Sequence, residues 1–256
     1  MELSRIVFGR QDRVGVLTIN RPGVKNAIDL ETMDELRELF ETLRQEQETA
    51  VLLVTGADGN FSSGGDLKAL AALEGQEAGR KMSLRMQGIL NEMEGLDIPV
   101  LAAIEGYALG GGAEVALACD FRIASAGARF GFRQVNLGII MGWGGGQRLA
   151  RLVGRSQALR LLLTGETIDA DEALRIGLID RVVPEGQALA AAHAMARAIA
   201  EKPPLAVRYA KRAIHRGRDM PLEAAVEYEA ELFATLWDSA EHREAARDLL
   251  ERRPPP

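Results

Sequence analysis

A chain of 256 residues, 47% hydrophobic and 27% charged, has the composition of an ordinary globular protein and can bury a substantial core. Its formal net charge of −6 argues against a general nucleic-acid binder, whose surface must be basic to neutralise phosphates. One cysteine, Cys119, excludes an intrachain disulfide, and no uninterrupted apolar run approaches the length of about 18 residues that a membrane span needs.

Met1-Glu2-Leu3-Ser4-Arg5 carries an acidic residue and has no continuous apolar segment behind it, so no signal sequence is expected and a cytoplasmic protein fits. Residues 13–20 alternate like a strand and end at the turn signal Arg21-Pro22-Gly23. Asp29 is placed to cap a helix running to about Gln47, with Leu30, Met33, Leu36, Phe40 and Leu43 on one face. Residues 50–55 form a continuous apolar run closed by Gly56, the pattern of a strand buried on both faces. The spacing predicts a helix over residues 76–94, a strand over 100–104 and another over 120–124. This βα alternation implies parallel or mixed pairing with helices outside. From about Glu185 the chain is Ala- and Arg-rich, with breaks at Pro203-Pro204 and Met220-Pro221. Three or four amphipathic helices fit there, one of them over residues 222–236 with Leu222, Val226, Glu229 and Phe233 in register. We therefore expect a core domain over residues 1–190 and a helical region over 191–256. That region suits subunit contact and suits covering the core equally. Low complexity is confined to Pro254-Pro255-Pro256.

Two glycine segments carry the chemistry. Ile104-Glu105-Gly106-Tyr107-Ala108-Leu109-Gly110-Gly111-Gly112-Ala113-Glu114 sets three consecutive glycines at a strand-to-helix junction, with a carboxylate two residues inside the helix. Unpaired N–H groups at such an entry favour negative charge, although a tight, closely packed turn has the same pattern. Phe61-Ser62-Ser63-Gly64-Gly65-Asp66-Leu67 follows the buried strand and enters a short helix, with small residues that let a ligand approach the backbone. Two such loops can aim two N–H donors at one point, as a thioester enolate oxygen requires. Each donor of this kind is worth about 10²–10³ in rate. No Gly-x-Ser-x-Gly elbow, Walker loop or Gly-x-Gly-x-x-Gly fingerprint is present, and no His/Cys cluster has metal spacing. His193, His215 and His242 fall in the helical tail, where surface or interface roles suit them, and Cys119 reads as a small core residue.

With these two loops the chain resembles the crotonase superfamily, which includes enoyl-CoA hydratases and isomerases. Further matching segments are Asn20-Arg21-Pro22 with Lys25-Asn26-Ala27, Ala118-Cys119-Asp120, Leu137-Gly138-Ile139-Ile140, Gly144-Gly145-Gly146-Gln147-Arg148-Leu149, Leu163-Thr164-Gly165-Glu166 and Gly177-Leu178-Ile179. They run in family order from about residue 15 to 183. The resemblance implies an α/β fold, a spiral of ββα repeats with a C-terminal helical trimerisation region, self-associating as a trimer or a dimer of trimers. It implies an acyl-CoA thioester as substrate, with no separate cofactor and no metal. It maps an oxyanion hole onto the N–H groups of Gly65 and Gly111. Coenzyme A contacts map onto Lys25, Ala27 and the loop of Ser63, Gly64, Gly65, Asp66 and Leu67. Glu114 stands where hydratases keep one of two catalytic glutamates.

The second glutamate position, four residues before Gly138, holds Gln134. A glutamine can orient water but cannot exchange a proton at neutral pH, and a general acid–base group is worth about 10²–10⁴. Isomerisation, or decarboxylation of a malonyl-type thioester, needs only an enolate and one proton shuttle. Phe61-Ser62-Ser63-Gly64 and Ile139-Ile140-Met141-Gly142-Trp143-Gly144-Gly145 look closer to the family's ethylmalonyl-CoA decarboxylases. There an apolar wall such as Trp143 or Phe132 would disfavour the substrate carboxylate; plain packing is the other reading of Trp143. The leading expectation is an acyl-CoA lyase that decarboxylates a short 2-alkylmalonyl-CoA. The alternatives are an enoyl-CoA hydratase or isomerase of fatty-acid and acyl-CoA metabolism, and a catalytically silent crotonase-fold binding protein.

Overall fold

The alternating segment forms the second arm of a hairpin. In the computed structural model, which describes residues 4–251, β1 (Ile6–Gln11) pairs antiparallel with β2 (Val14–Ile19). Met1, Glu2 and Leu3 of the opening segment and Pro254-Pro255-Pro256 lie outside the described residues. Asp12 and Arg13 turn the chain with φ of 49° and 64°, the left-handed pair that suits a two-residue hairpin. Asp29 caps α1 (Leu30–Gln45), accepting the N–H of Thr32 at 2.8 Å, and the helix buries Met33, Leu36, Leu39, Phe40 and Leu43. Glu35, on the same buried face, accepts the N–H groups of Ser4, Arg5 and Ile6 and so fastens the start of β1.

β3 (Val51–Gly56) is apolar and buried along nearly all its length and runs parallel to β2. Next come α2 (Leu67–Leu70), α3 (Gln76–Glu94) with the predicted bounds, and β4 (Val100–Ile104), parallel to β3. β5 (Tyr107–Leu109) leads into α4 (Gly111–Leu117), then β6 (Phe121–Ser125) and β7 (Arg129–Gly131). A 3-10 turn at Arg133–Leu137 precedes α5 (Gly145–Thr164), which is broken at Gly154. β8 (Thr167–Asp169), α6 (Ala170–Arg175) and β9 (Arg181–Val183) complete the core.

The strands form a six-stranded sheet in the order β1-β2-β3-β4-β6-β9 and a three-stranded sheet in the order β5-β7-β8. Units β4-β5-α4 and β6-β7-α5 each give their first strand to the large sheet and their second to the small one. This is the expected spiral of ββα turns. Two isolated parallel bridges, Ile28 with Gly65 and Ser62 with Ala108, extend the small-sheet pairing onto the loop that follows β3. That extension positions the candidate site.

The larger core lies between the sheets and helices α1, α3 and α5. Cys119 is buried in it, and burial pushes its thiol pKa up to about 12. A second core covers the other face of the large sheet under α7 (Ala188–Ala200), whose Ala188, Ala192 and Ala196 are fully buried. α7 crosses residue 190 and packs on the sheet, so the C-terminal run of helices without buried residues begins with α8 (Pro204–Gly217). α9 (Leu222–Trp237) and α10 (Ala240–Glu251) follow, and α9 leaves Leu222, Val226, Phe233 and Trp237 more than half exposed. α8 is tied to the core by Asp120, whose carboxylate contacts Lys211 Nζ at 2.8 Å and His215 Nε2 at 2.6 Å and accepts the Val100 N–H. Burial opposes ionisation of Asp120, but the His215 and Lys211 contacts hold its pKa below the ordinary carboxylate value. No helix among the described residues is long and apolar enough to cross a membrane.

Candidate active site

The two glycine loops meet because one buried asparagine and one serine staple them into neighbouring turns of the spiral. Asn26, with φ of 56°, accepts the Arg21 N–H and donates to the carbonyls of Ala57 and Asn60. The segment from Val24 to Ile28 is thereby held beside the loop after β3. Ser63 N donates to Lys25 O, Ile28 N to Gly64 O, and Asp66 N to Ile28 O. On the loop's other side, Ser62 N donates to Tyr107 O and Leu109 N to Ser62 O. The approach is so close that a Cβ on Gly64, at φ of 104°, would lie 2.8 Å from Gly111 N, and one on Gly112 would collide with Ser62. Gly65 and Gly111 thus stand side by side. Neither N–H has a hydrogen-bond acceptor among the described residues.

The other loop residues serve this geometry or edge it. Asp66 caps α2 through Ala69 N and contacts Arg21 at 2.9 Å; that N–H and that guanidinium hold its pKa below the ordinary carboxylate value. Ala27 O accepts from the same guanidinium at 2.6 Å. Lys25 is exposed, its ammonium 5.0 Å from the centre of the Tyr107 ring, and Leu67 is exposed. Ser63 Oγ donates to Val24 O.

Glu114 is the fourth residue of α4 rather than the second, because the helix begins at Gly111. It is 1% exposed. Its Oε2 accepts the N–H groups of Trp143 and Gly145, both at 2.8 Å, and its Oε1 accepts Gln134 Nε2 at 3.1 Å. Burial raises its pKa above the ordinary carboxylate value, and the N–H donors of Gly145, Trp143 and Gln134 restrain the rise. Gln134 Oε1 is buried without a partner. One end of the site therefore offers two N–H donors. The other offers a carboxylate beside an unpaired acceptor, a pair suited to receiving an O–H group.

Two further features have roles that the sequence did not assign. Gly145 fits because a Cβ there would lie 2.5 Å from Glu114 Cγ, so the run Gly144-Gly145-Gly146 lets the start of α5 close on the carboxylate. Ser83 Oγ and Gln87 Nε2 of α3 both donate to Gly142 O, while Arg148 reaches Trp143 O, Glu94 and Asn91. These contacts fix the turn that carries the two donors to Glu114. Trp143 is 4% exposed and donates from Nε1 to Met82 Sδ at 3.4 Å. Its six-membered ring lies where a Cβ on Gly111 would collide with it, 3.5 Å from a Cβ on Gly65. Phe132, 1% exposed, is buried in the main core with Phe130. Among the described residues no group of His, Cys, Asp and Glu could hold a metal ion.

Comparison with known proteins finds one family along almost the whole chain. A family model described as enoyl-CoA hydratase/isomerase matches residues 9–256. The short-chain-enoyl-CoA hydratase of Clostridium acetobutylicum is 38% identical over 254 residues, covering 99% of this chain and 97% of that protein. The crotonyl-CoA hydratase of Syntrophomonas wolfei subsp. wolfei is 37% identical with the same coverage of both. A solved enoyl-CoA hydratase from Bacillus anthracis superposes with a TM-score of 0.94 at 35% identity, covering 99% of this chain and 98% of that one. These whole-chain similarities favour hydratases over the ethylmalonyl-CoA decarboxylases suggested by the two short segments around Ser63 and Trp143.

Proposed function

This chain belongs to the enoyl-CoA hydratase/isomerase family, and from that premise we propose that it hydrates a short 2-enoyl-CoA thioester. The observation that carries the proposal is the buried Glu114 carboxylate beside the unpaired oxygen of Gln134. The thioester carbonyl oxygen takes the N–H groups of Gly65 and Gly111. A water donates one hydrogen to Glu114 and the other to Gln134 Oε1. As the water oxygen bonds to C3, Glu114 accepts its proton, and the C2–C3 π pair moves toward the carbonyl to give an enolate held by the two N–H donors. Glu114 then returns that proton to C2, so one carboxylate serves as base and then as acid, and both hydrogen and hydroxyl arrive on one face. The raised pKa of Glu114 suits both halves of the cycle. Lys25, Ala27 and the loop from Ser63 to Leu67 hold the coenzyme A portion. The exposed apolar face of α9 supports self-association as a trimer or dimer of trimers.

Decarboxylation of a 2-alkylmalonyl-CoA is the second reading, favoured by the indole wall of Trp143 and by the lack of a second proton carrier at Gln134. An ionised Glu114 close to a substrate carboxylate counts against it. Purified protein incubated with crotonyl-CoA, a 3-enoyl-CoA, methylmalonyl-CoA and ethylmalonyl-CoA, with products followed by mass, tests both. We expect crotonyl-CoA to gain one water. Loss of CO₂ from a malonyl thioester without hydration of crotonyl-CoA overturns the proposal, as does double-bond migration alone. If no thioester turns over while binding persists, the catalytically silent binding protein stands instead.

A further inference from the structure

Trp143 spans the distance between the two ends of the site. Its backbone N–H meets Glu114 Oε2, and its six-membered ring lies against Gly111 and Gly65. An acyl group with its carbonyl oxygen on those two glycines and C3 within reach of Glu114 must therefore run beside this ring. The ring is also held in place. Nε1 is bonded to Met82, the backbone carbonyl takes a hydrogen bond from Arg148, and the preceding carbonyl is fixed by Ser83 and Gln87. Leu70 approaches the same Cβ position of Gly65 as the indole, with Cδ1 2.9 Å from it. Holding Glu114 requires only the backbone of this turn, so the indole is volume added to the acyl subsite beyond what the carboxylate needs.

We infer that Trp143 closes the acyl subsite and makes the protein selective for short acyl thioesters over medium-length ones. This rests on the acyl-CoA reading above, but not on which reaction follows. The experiment is calorimetric titration with saturated butyryl-, hexanoyl- and octanoyl-CoA, which can be neither hydrated nor decarboxylated. Where room exists, each buried methylene raises affinity about fourfold. In the wild-type protein octanoyl-CoA binds no more tightly than butyryl-CoA. In Trp143→Ala octanoyl-CoA binds at least tenfold more tightly than butyryl-CoA, and in Trp143→Phe the preference is intermediate, which keeps the test open if the alanine variant fails to fold. The chain has two tryptophans, Trp143 and Trp237, so in a Trp237→Phe background butyryl-CoA should change the remaining emission while free coenzyme A changes it little. The inference is overturned if wild-type affinity rises with each methylene, or if a folded position-143 variant keeps the wild-type preference. Failure of every thioester to bind removes the acyl-CoA reading and this inference with it, whereas a hydration failure in the reaction panel leaves it standing.

Discussion

Exchanging Gln134 for glutamate probes how one carboxylate manages the chemistry alone. The amide nitrogen now 3.1 Å from Glu114 Oε1 becomes a carboxylate oxygen in the same place. Two unit charges at that separation repel by about 1 kcal/mol in water and about 5 kcal/mol at an effective dielectric near 20. At about 1.4 kcal/mol per pKa unit, the two protons of the pair leave about 1 to 4 units apart, as macroscopic values of the pair. Between those two values the pair shares one proton, supplying a base and an acid together where the wild type has Glu114 alone. Gln134 Oε1 has no partner to lose, and a protonated carboxyl can restore the hydrogen bond to Glu114. Hydration of crotonyl-CoA should rise by about 10²–10⁴, and the pH profile of kcat/KM should change from one acid limb to a bell. The assay is loss of enoyl-thioester absorbance across the pH range, with thermal unfolding measured in parallel. A folded variant with the wild-type rate and a single unmoved limb would refute the reasoning, because carboxylates so close cannot titrate independently.

Glu114→Gln should lower turnover of every accepted thioester by at least about 10²-fold while the protein stays folded. Burial raises the folded-state pKa of Glu114 above its unfolded value, so ionising it removes stability as pH rises through the folded pKa. Denaturant titrations in acid and at neutral pH should therefore show the wild type losing stability relative to Glu114→Gln, and an equal response of the two proteins would count against the buried-carboxylate account. Ser83→Ala combined with Gln87→Ala should loosen the turn that delivers the N–H groups of Trp143 and Gly145 to Glu114. Those donors restrain the Glu114 pKa, so the acid limb of kcat/KM should move to higher pH; a lower kcat with an unmoved limb would mean that the turn does not tune the carboxylate.

Much of this architecture is legible wherever periodicity or glycine carries a steric message. The apolar stripe from Met33 to Leu43, the cap at Asp29 and the apolar run of β3 follow from patterns long enough to have one reading. The glycine loops were recognisable because backbone segments can approach as closely as Ser62 and Gly112 do only where a Cβ is missing. β5, β7 and β8 span three residues each, too few for alternation to register. The role of α7 was equally hidden, since alanines four residues apart suit any Ala-rich helix and their burial against β3 and β4 is a tertiary fact. Asn26 lies within a recognised motif, but two of its three side-chain hydrogen bonds go to partners more than 30 residues distant. The grip on Glu114 comes from backbone donors at Trp143 and Gly145, and a backbone N–H leaves no trace in side-chain chemistry.

Asp120 bears on how far this protein can be shortened or fused. Its carboxylate lies in the core beyond α4, yet two of its partners, Lys211 and His215, come from α8. A chain ending after α7 would leave that carboxylate with the Val100 N–H and without the Lys211 ammonium or the His215 ring. An uncompensated buried carboxylate is strongly destabilising. The C-terminal helices are therefore tied to the core through this carboxylate, and a form truncated after α7 would call for Asp120→Asn, whereas a circular permutant that keeps α8 would not.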